Sequence, residues 1–279
     1  MPNTMTFKTT SPALTHSTQS PPKRPSDFNT ARVEPRLVVK WAQHLDEVRQ
    51  AQRLRHDVFA TEMGATLHTP LAGHDVDDFD AHCEHLLVLD GAQARVIGTY
   101  RLLTPTAARR MGRLYSEQEF TFHGIDSHRD RMVELGRSCV HPDHRHGGVI
   151  MALWGALAQF MQTNQLQTML GCASIPMWHN GMVSLSHAQG VWQSISPSQR
   201  AQGPEQATPL LPLPLPDSSL EPASVSATDM PALIKGYLRL GAKVMGPPAW
   251  DPDFNTADLP MLMRLGDLHP RYRKHFLGA

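Results

Sequence analysis

Arg131–Val140 reads RMVELGRSCV and runs on through HPDHRHGG (His141–Gly148) into VIMALWGALAQFMQT (Val149–Thr163). The first segment has the short apolar character of a strand. The last is almost wholly apolar and too long for one, so it reads as a helix packed into a core. Gly147 and Gly148 open the turn between them. Two charged residues, Glu134 and Arg137, interrupt the strand. Side chains alternate along a strand, which puts Glu134 and Ser138 on one face and Arg137 on the other. Charges inside a central strand are costly unless paired or functional. The segment therefore holds either a buried ion pair near a strand end or a general base beside a cleft.

Working outward, Arg36–Gln43 suggests a strand and Leu45–Met63 has helical spacing through Val48, Leu54, Val58 and Phe59. His85–Asp90 and Ala94–Leu103, separated by a short Gly-containing turn, read as a hairpin. Leu166–Ala173 returns as a strand, Pro176–Gln189 as a helix, Ala232–Leu240 as a helix, Ala242–Met245 as a strand and Asp258–Leu265 as a last strand. This alternation predicts an α/β fold, a mixed sheet flanked by helices on both faces. Residues 1–35 lack hydrophobic period and are expected to be a disordered tail. Residues 193–230 contain LLPLPLP, where Pro at every second position opposes helix and central strand alike. They read as a Pro/Ser-rich mobile insertion, leaving 36–192 and 231–279 as the folded domain.

At 279 residues with 41% hydrophobic content, the chain has enough apolar material for a sizeable core. Lys+Arg and Asp+Glu are both 26, which argues against binding nucleic acid through bulk charge. Cys83, Cys139 and Cys172 are an odd, sparse set that speaks for a reducing compartment. Cys139 and Cys172 sit in apolar strands and read as core, not as nucleophiles. No Gly-x-Ser-x-Gly elbow is present. The longest apolar run, Val149–Met161, falls short of the ~20 residues that span a bilayer, and Met1–Arg36 has no signal-like apolar block. The expectation is a cytoplasmic protein, with peripheral membrane contact left open by the basic bias of the tail.

Three groups carry candidate chemistry. Glu134 and Arg137 are the first. In the second, Arg145, His146, Gly147, Gly148 and Val149 lead into a helix whose first N–H groups can cradle phosphate oxygens, unless the segment is a plain turn. The histidines at 141, 144 and 146 invite a metal reading, but no matching ligand set accompanies them, so no metal is expected. The third is Asp75, Asp77, Asp78 and Asp80, either a solvated acidic loop or a site for a cationic substrate. Arg101, in an apolar strand, is placed to pair with one of them.

Several strings then converge on known proteins. Arg55-x-x-Val58-Phe59, Asp77-x-x-Asp80, Gly98–Leu103 and Glu134-x-x-Arg137 resemble, in that order, the N-acyl-homoserine-lactone synthases, which have the GNAT (Gcn5-related N-acetyltransferase) fold. Longer strings are more similar to a sister family, the L-ornithine N(alpha)-acyltransferases of bacterial ornithine-lipid synthesis. They are Leu114–Phe120, Glu134–Val140, Gly171–Ser174, Lys235–Ala242, Pro248–Asp258 and Arg271–Phe276. The resemblance covers about Arg36–Gln193 and Pro231–Leu277.

It implies a GNAT-like fold and transfer of a 3-hydroxyacyl chain from acyl carrier protein to the α-amine of L-ornithine, giving lyso-ornithine lipid. The donor would be the 4'-phosphopantetheine of the carrier, with no dissociable cofactor. Its phosphate would lie on the 145–149 loop, which departs from the family's Gln/Arg-x-x-Gly-x-Gly/Ala pattern. Glu134, through water, would be the base, and backbone N–H groups of Leu135–Ser138, at a strand bulge, would hold the oxyanion. Arg55, Phe59, Asp77, Asp80, Arg101 and Ser138 would meet the substrate: Asp77 and Asp80 would face the cationic amino acid, and Arg101 and Arg137 would complete a charge network or hold its carboxylate. The helix expected to supply a tyrosine for the leaving thiol has none, leaving Ser184 and Ser186. Arg109, Arg110 and Arg113, or Arg271, Arg273 and Lys274, would receive the acidic carrier. Other readings are another GNAT-fold, acyl-carrier-dependent N-acyltransferase, either an acyl-homoserine-lactone synthase or an enzyme acylating a different amino acid, and a non-catalytic acyl-carrier or lipid-binding module.

Overall fold

The apolar strand at 132–140 and its neighbours form the centre of one sheet. The computed structural model describes residues 37–179, 182–214 and 230–278, so the expected N-terminal tail lies outside the described residues. β1 (Leu37–Trp41) leads to α1 (Leu45–His56), which passes directly into a π-helical turn over Asp57–Glu62. The hairpin of β2 (Glu84–Asp90) and β3 (Arg95–Leu103) follows. α2 (Pro105–Met111) starts where the Thr104 hydroxyl accepts the Ala107 N–H and stops at left-handed Gly112. Next come β4 (Phe120–His123), β5 (Met132–Val140), α3 (Gly148–Thr163) and β6 (Thr168–Pro176). Short β7 (Trp178–His179) and β8 (Met182–Val183) precede α4 (Leu185–Ser194) and β9 (Gln206–Pro209). The chain closes with α5 (Ala232–Leu240), β10 (Lys243–Val244), β11 (Ala249–Asp251), β12 (Thr256–Arg264) and α6 (Pro270–Leu277).

The main sheet has the order β1-β2-β3-β5-β6-β12-β10, with β11 also on β12. Every pairing is antiparallel except β5–β6. On one face, Leu153, Leu157 and Met161 of α3 pack on Leu86, Ile97, Leu102 and Val133, while α4 and α5 cover β6 and β12. On the other face, α1 packs on Leu87, Val96 and Cys139, and α2 with the β4–β9 ribbon packs on Leu103, Leu170 and Leu262.

Two expectations are corrected. The Pro176–Gln189 helix begins only at Leu185, because the Ser184 hydroxyl caps it by accepting the His187 N–H; the residues before it are strand end and a small hairpin. The mobile insertion at 193–230 is ordered over its first part. β9 pairs with β4 and buries Ala207, a polar-flanked tetrad whose strand state depends on a distant partner. Residues 215–229 lie outside the described residues.

The sheet parts at its centre. β5 and β6 are in register from Met132↔Thr168 only to Leu135↔Gly171. Beyond that pair β5 stays with β3 and β6 stays with β12, so the two strands diverge and leave a gap through the sheet. At the point of parting a Cβ on Gly171 would lie 2.4 Å from the Leu135 carbonyl oxygen. Only glycine allows the strands to touch there and then separate. Gly171→Ala should push β6 off β5, lowering stability by roughly 1–3 kcal/mol as an overpacked site does. A urea titration would read this as a lower midpoint at unchanged slope, whereas an unaltered midpoint would show that the strands do not meet here.

Candidate active site

Arg137 has φ of 51°, unusual for a residue with a Cβ. The register against β3 shifts at the same place: Thr99 faces Cys139 and Arg101 faces Gly136, so Arg137 and Ser138 together oppose Tyr100. This is a β-bulge, which re-aims side chains and leaves ladder groups unpaired. It overturns the simple alternation expected for this strand. Glu134 and Arg137 both reach Tyr115, whereas Ser138 lies with Tyr100 and Tyr237 on the side of α3 and α5.

Arg137 is held there by its surroundings. Its Nε donates to Asp75 at 3.0 Å, Nη1 to the Tyr115 hydroxyl at 2.8 Å and Nη2 to Asp77 at 3.4 Å, with the Tyr115 and Phe254 rings on either side at 4.8 and 4.9 Å. Arg55, fully buried on α1, bonds Asp75 and both oxygens of Asp80. Arg101 donates to Asp77 and Asp80. Three arginines thus neutralise three aspartates. Burial pushes the Asp80 carboxyl up, but Arg55 and Arg101 override it and hold it well below the usual carboxylate range.

This closed network corrects part of the expected substrate set. Arg55, Asp77, Asp80 and Arg101 lie beneath the cleft and satisfy one another; Asp80 does not face a ligand. Asp78 is spent on Arg113 at the surface. Of the sequence-derived residues, Phe59, Glu134, Arg137, Ser138, Arg145 and Gly147 line a single cleft of about 470 Å³ that runs through the gap between β5 and β6. Arg137 keeps two of its five N–H groups uncommitted and is the guanidinium the cleft offers.

Glu134, 3% exposed, accepts from the Tyr115 N–H at 2.6 Å, the Ser116 N–H at 2.7 Å and the Ser116 hydroxyl at 2.5 Å. A carboxylate has about four acceptor sites, so about one remains for the cleft. Burial raises its pKa; the Ser116 and Tyr115 donors oppose the rise without cancelling it.

At the other end of the cleft, left-handed Gly147 (φ 100°) starts α3, and no side chain caps the helix. Its first N–H groups are therefore open donors at the positive end of a sixteen-residue helix. The rest of the expected loop is placed differently. The Arg145 guanidinium is taken by Glu62 at 2.5 and 2.7 Å and by the Val140 carbonyl, His146 is exposed, and the Val149 side chain is core. What this end presents is backbone.

Several cleft residues were missed from sequence. Tyr115 ties Arg137 to Glu134. The Tyr237 hydroxyl bonds that of Tyr100, and burial pushes both tyrosines up. Ser184 and Ser186 bond one another at the α4 cap and do not line the cleft. Glu119, Asp251 and Asp258 also line it, each with a carboxylate oxygen within 4.8 Å of the others. Burial, then the neighbouring carboxylates, raises Glu119 well above its ordinary value; burial raises Asp251 and Asp258 too. Two strings already quoted contain these acids, but only the β11–β12 register joins Asp251 to Asp258. A second, apolar pocket shares Tyr100, Leu135, Trp154, Cys172, Ala173 and Tyr237 with the cleft and continues inward past Leu157, Met261 and Met263. Burial pushes the Cys172 thiol well above its ordinary value, so it is no thiolate nucleophile.

A mixed sheet that parts beside a bulge, with an uncapped helix N-terminus at the gap, defines a GNAT-fold N-acyltransferase. Residues 54–155 match the acetyltransferase (GNAT) domain. Solved structures agree on the fold: the acyl-homoserine-lactone synthase LasI aligns at a TM-score of 0.50 and 12% identity over 87% of this chain and 95% of that one. The CoA-dependent synthase BjaI also aligns at 0.50, with 17% identity over 87% and 88%. At sequence level the chain is 32% identical to the L-ornithine N(alpha)-acyltransferase of Rhodobacter capsulatus over 85% of this chain and 93% of that one. It is 34% identical to that of Rhizobium meliloti over 86% and 84%. The chain belongs to the L-ornithine N(alpha)-acyltransferase family.

Removing one member of the arginine–aspartate network leaves buried charge uncompensated. Arg55→Leu should cost about 3–5 kcal/mol. In the wild type the depressed Asp80 carboxyl stabilises the fold fully above its unfolded value of about 3.9, and that contribution drains away as pH falls below it. Equilibrium unfolding at pH 7 and pH 3 checks both; a variant as stable as wild type at pH 7 would mean the network is dispensable.

Proposed function

We propose that this protein transfers a 3-hydroxyacyl chain from the 4'-phosphopantetheine of acyl carrier protein to the α-amine of L-ornithine, releasing lyso-ornithine lipid. The observation that carries the reading is one cleft uniting Glu134, the bulge of β5 and the open start of α3, with an apolar pocket leading off it. The names of its relatives supply the acceptor. The donor phosphate sits on the backbone N–H groups of Gly148 and Val149. The acyl chain enters the apolar pocket between α3 and β12, past Trp154, Leu157, Met261 and Met263.

The steps balance as a direct transfer. The α-ammonium gives a proton through water to the free acceptor site of Glu134. The neutral nitrogen attacks the thioester carbon, and the carbonyl oxygen takes up negative charge against N–H groups at Gly136–Ser138, where β5 has lost β6 as a partner. Collapse breaks the C–S bond; the Tyr237 hydroxyl, kept protonated by burial, gives its proton to the leaving sulfur, and the second proton shed by the newly acylated nitrogen replaces it through Ser138 and Tyr100. Arg137 holds the acceptor's carboxylate with its uncommitted N–H groups.

Of the two basic clusters, Arg109 and Arg113 pair with Asp130 and Asp78, while Arg271 and Lys274 are exposed on α6, which packs on α3. We assign carrier docking to α6. No helix among the described residues is long and apolar enough to cross a membrane. An amphiphilic product leaving an apolar pocket is best delivered to a membrane surface, which is the peripheral contact in this reading.

Incubation with 3-hydroxyacyl carrier protein and ornithine should release free thiol only when the amine is present, with the N-acylated product identified by mass. Binding without release would leave a carrier-binding module instead. Glu134→Gln should lower kcat by ~10²–10⁴-fold and abolish the acid limb of the pH–rate profile. In the wild type that limb lies above the ordinary glutamate range, since the base works only when deprotonated. Full turnover with an unchanged profile would remove Glu134 from the role. Tyr237→Phe should slow turnover while leaving KM for ornithine in place.

A further inference from the structure

Two acidic trios, one beneath the cleft and one in its wall, have opposite fates. Asp75, Asp77 and Asp80 are neutralised by Arg55, Arg101 and Arg137. Glu119, Asp251 and Asp258 form no ion pair among the described residues. They lie in the wall of the cleft, with Asp258 5% and Thr256 1% exposed. Asp258 Oδ1, Glu119 Oε2 and the Thr256 hydroxyl are all sealed from solvent without a partner in hydrogen-bonding geometry. Buried polar atoms are almost always satisfied, and carboxylates at this spacing repel one another. Asp251 Oδ1 accepts the N–H groups of Asp253 and Phe254, and the hydroxyls of Ser174 and Thr256 act on Asp258, but no cation forms an ion pair with the trio among the described residues. Negative charge without a counter-charge is the complement of a ligand that brings one.

We propose that Glu119, Asp251 and Asp258, with the Thr256 hydroxyl, form a subsite for the side-chain ammonium of the acceptor amino acid. This deepens the ornithine reading and rests on it. An ammonium has three N–H donors and a full charge, matching a cluster of three carboxylates in which Glu119 Oε2 and Asp258 Oδ1 are unpartnered. The subsite also solves an orientation problem. Ornithine presents two amines, and only the α-amine is to be acylated. Arg137 anchors the carboxylate on one side of the cleft. An acidic pocket that grips the terminal ammonium keeps that nitrogen charged, hence unreactive, and leaves the α-amine to Glu134. Cys172 lies within electrostatic reach of Glu119, Asp258 and Glu134, which places subsite and base around the same opening.

The test compares ornithine with norvaline, which has the same carbon chain without the terminal amine, using the full chain and 3-hydroxyacyl carrier protein. A site built to bind an N–H group rejects the analogue lacking it strongly, so wild type should favour ornithine in kcat/KM by at least ~10²-fold. In Asp258→Asn and Glu119→Gln that preference should fall to within ~10-fold, mainly through a higher KM for ornithine. Calorimetric binding to wild type, free of any folding effect of a variant, should detect ornithine and not norvaline. Retained preference in both variants, or equal binding of the two amino acids to wild type, overturns the subsite while leaving the acyltransferase reading intact. No transfer to any amino acid overturns that reading first. Stoichiometric Mg²⁺ or Zn²⁺ binding to wild type that is lost in Asp258→Asn would show a metal site and likewise overturn the ammonium assignment.

Discussion

The parting of β5 from β6 after Leu135 and Gly171 is the constraint on which everything else depends. A continuous parallel pair would fill its own hydrogen bonds and close the sheet. Here β5 is committed to β3 and β6 to β12, and the two commitments pull the strands apart. The gap brings residues from both faces into one cleft: Val58 and Phe59 beside α1, Tyr115 and Glu119 from the loop before β4, Ile150 and Trp154 from α3, and Tyr237 from α5. No one layer of the fold could supply that mixture of acid, amide and apolar surface.

The bulge depends on a second constraint. A non-glycine residue in the left-handed region costs on the order of 1–3 kcal/mol, and Arg137 endures it because three hydrogen bonds and two rings hold its guanidinium. Those partners are fixed in turn: Asp75 by Arg55, Asp77 by Arg101, Tyr115 by the Glu134 carboxylate through its N–H, while Asp80 ties Arg55 to Arg101. The network is thus a support for backbone geometry. Replacing it with apolar residues would avoid the desolvation of six charges, but would leave nothing to pin the bulge. The same argument explains why Asp77 and Asp80, which look in the sequence like bait for a cation, are occupied from within.

The fold was largely legible. The apolar runs at 149–163 and 85–103 exceed any competing local signal, and helix and hairpin stand where the pattern put them. What escaped was decided at long range. β9, four residues long, exists because β4 pairs with it. The Ser184 cap outweighed the apolar content ahead of α4. The site divides in the same way. Glu134, Arg137 and Ser138 were visible as polar residues in an apolar strand, yet their faces were misread, because alternation assumes an unbroken ladder and a bulge leaves little trace in composition. Tyr237 sits in a short amphipathic helix where an aromatic reads as core. Asp251 lies among turn-forming residues and Asp258 at the start of the last apolar strand, and their meeting with Glu119 is a matter of tertiary register. Family strings carried them along without indicating what they do.

Glu134 shows how the two halves of the cleft are tuned against each other. Burial pushes its carboxyl up; three donors from Tyr115 and Ser116 pull it part of the way back towards ionisation. A base needs both influences, because a fully stabilised carboxylate is too weak to take a proton and an unstabilised buried one never releases its own. At Glu119 burial and the neighbouring carboxylates dominate; at Asp258 burial dominates and the Ser174 and Thr256 hydroxyls oppose it only in part, and no arginine forms an ion pair with either. The protein has spent its cations on Asp75, Asp77 and Asp80, where geometry must be permanent. It leaves the second trio uncompensated, where charge has to arrive with the substrate and depart with the product.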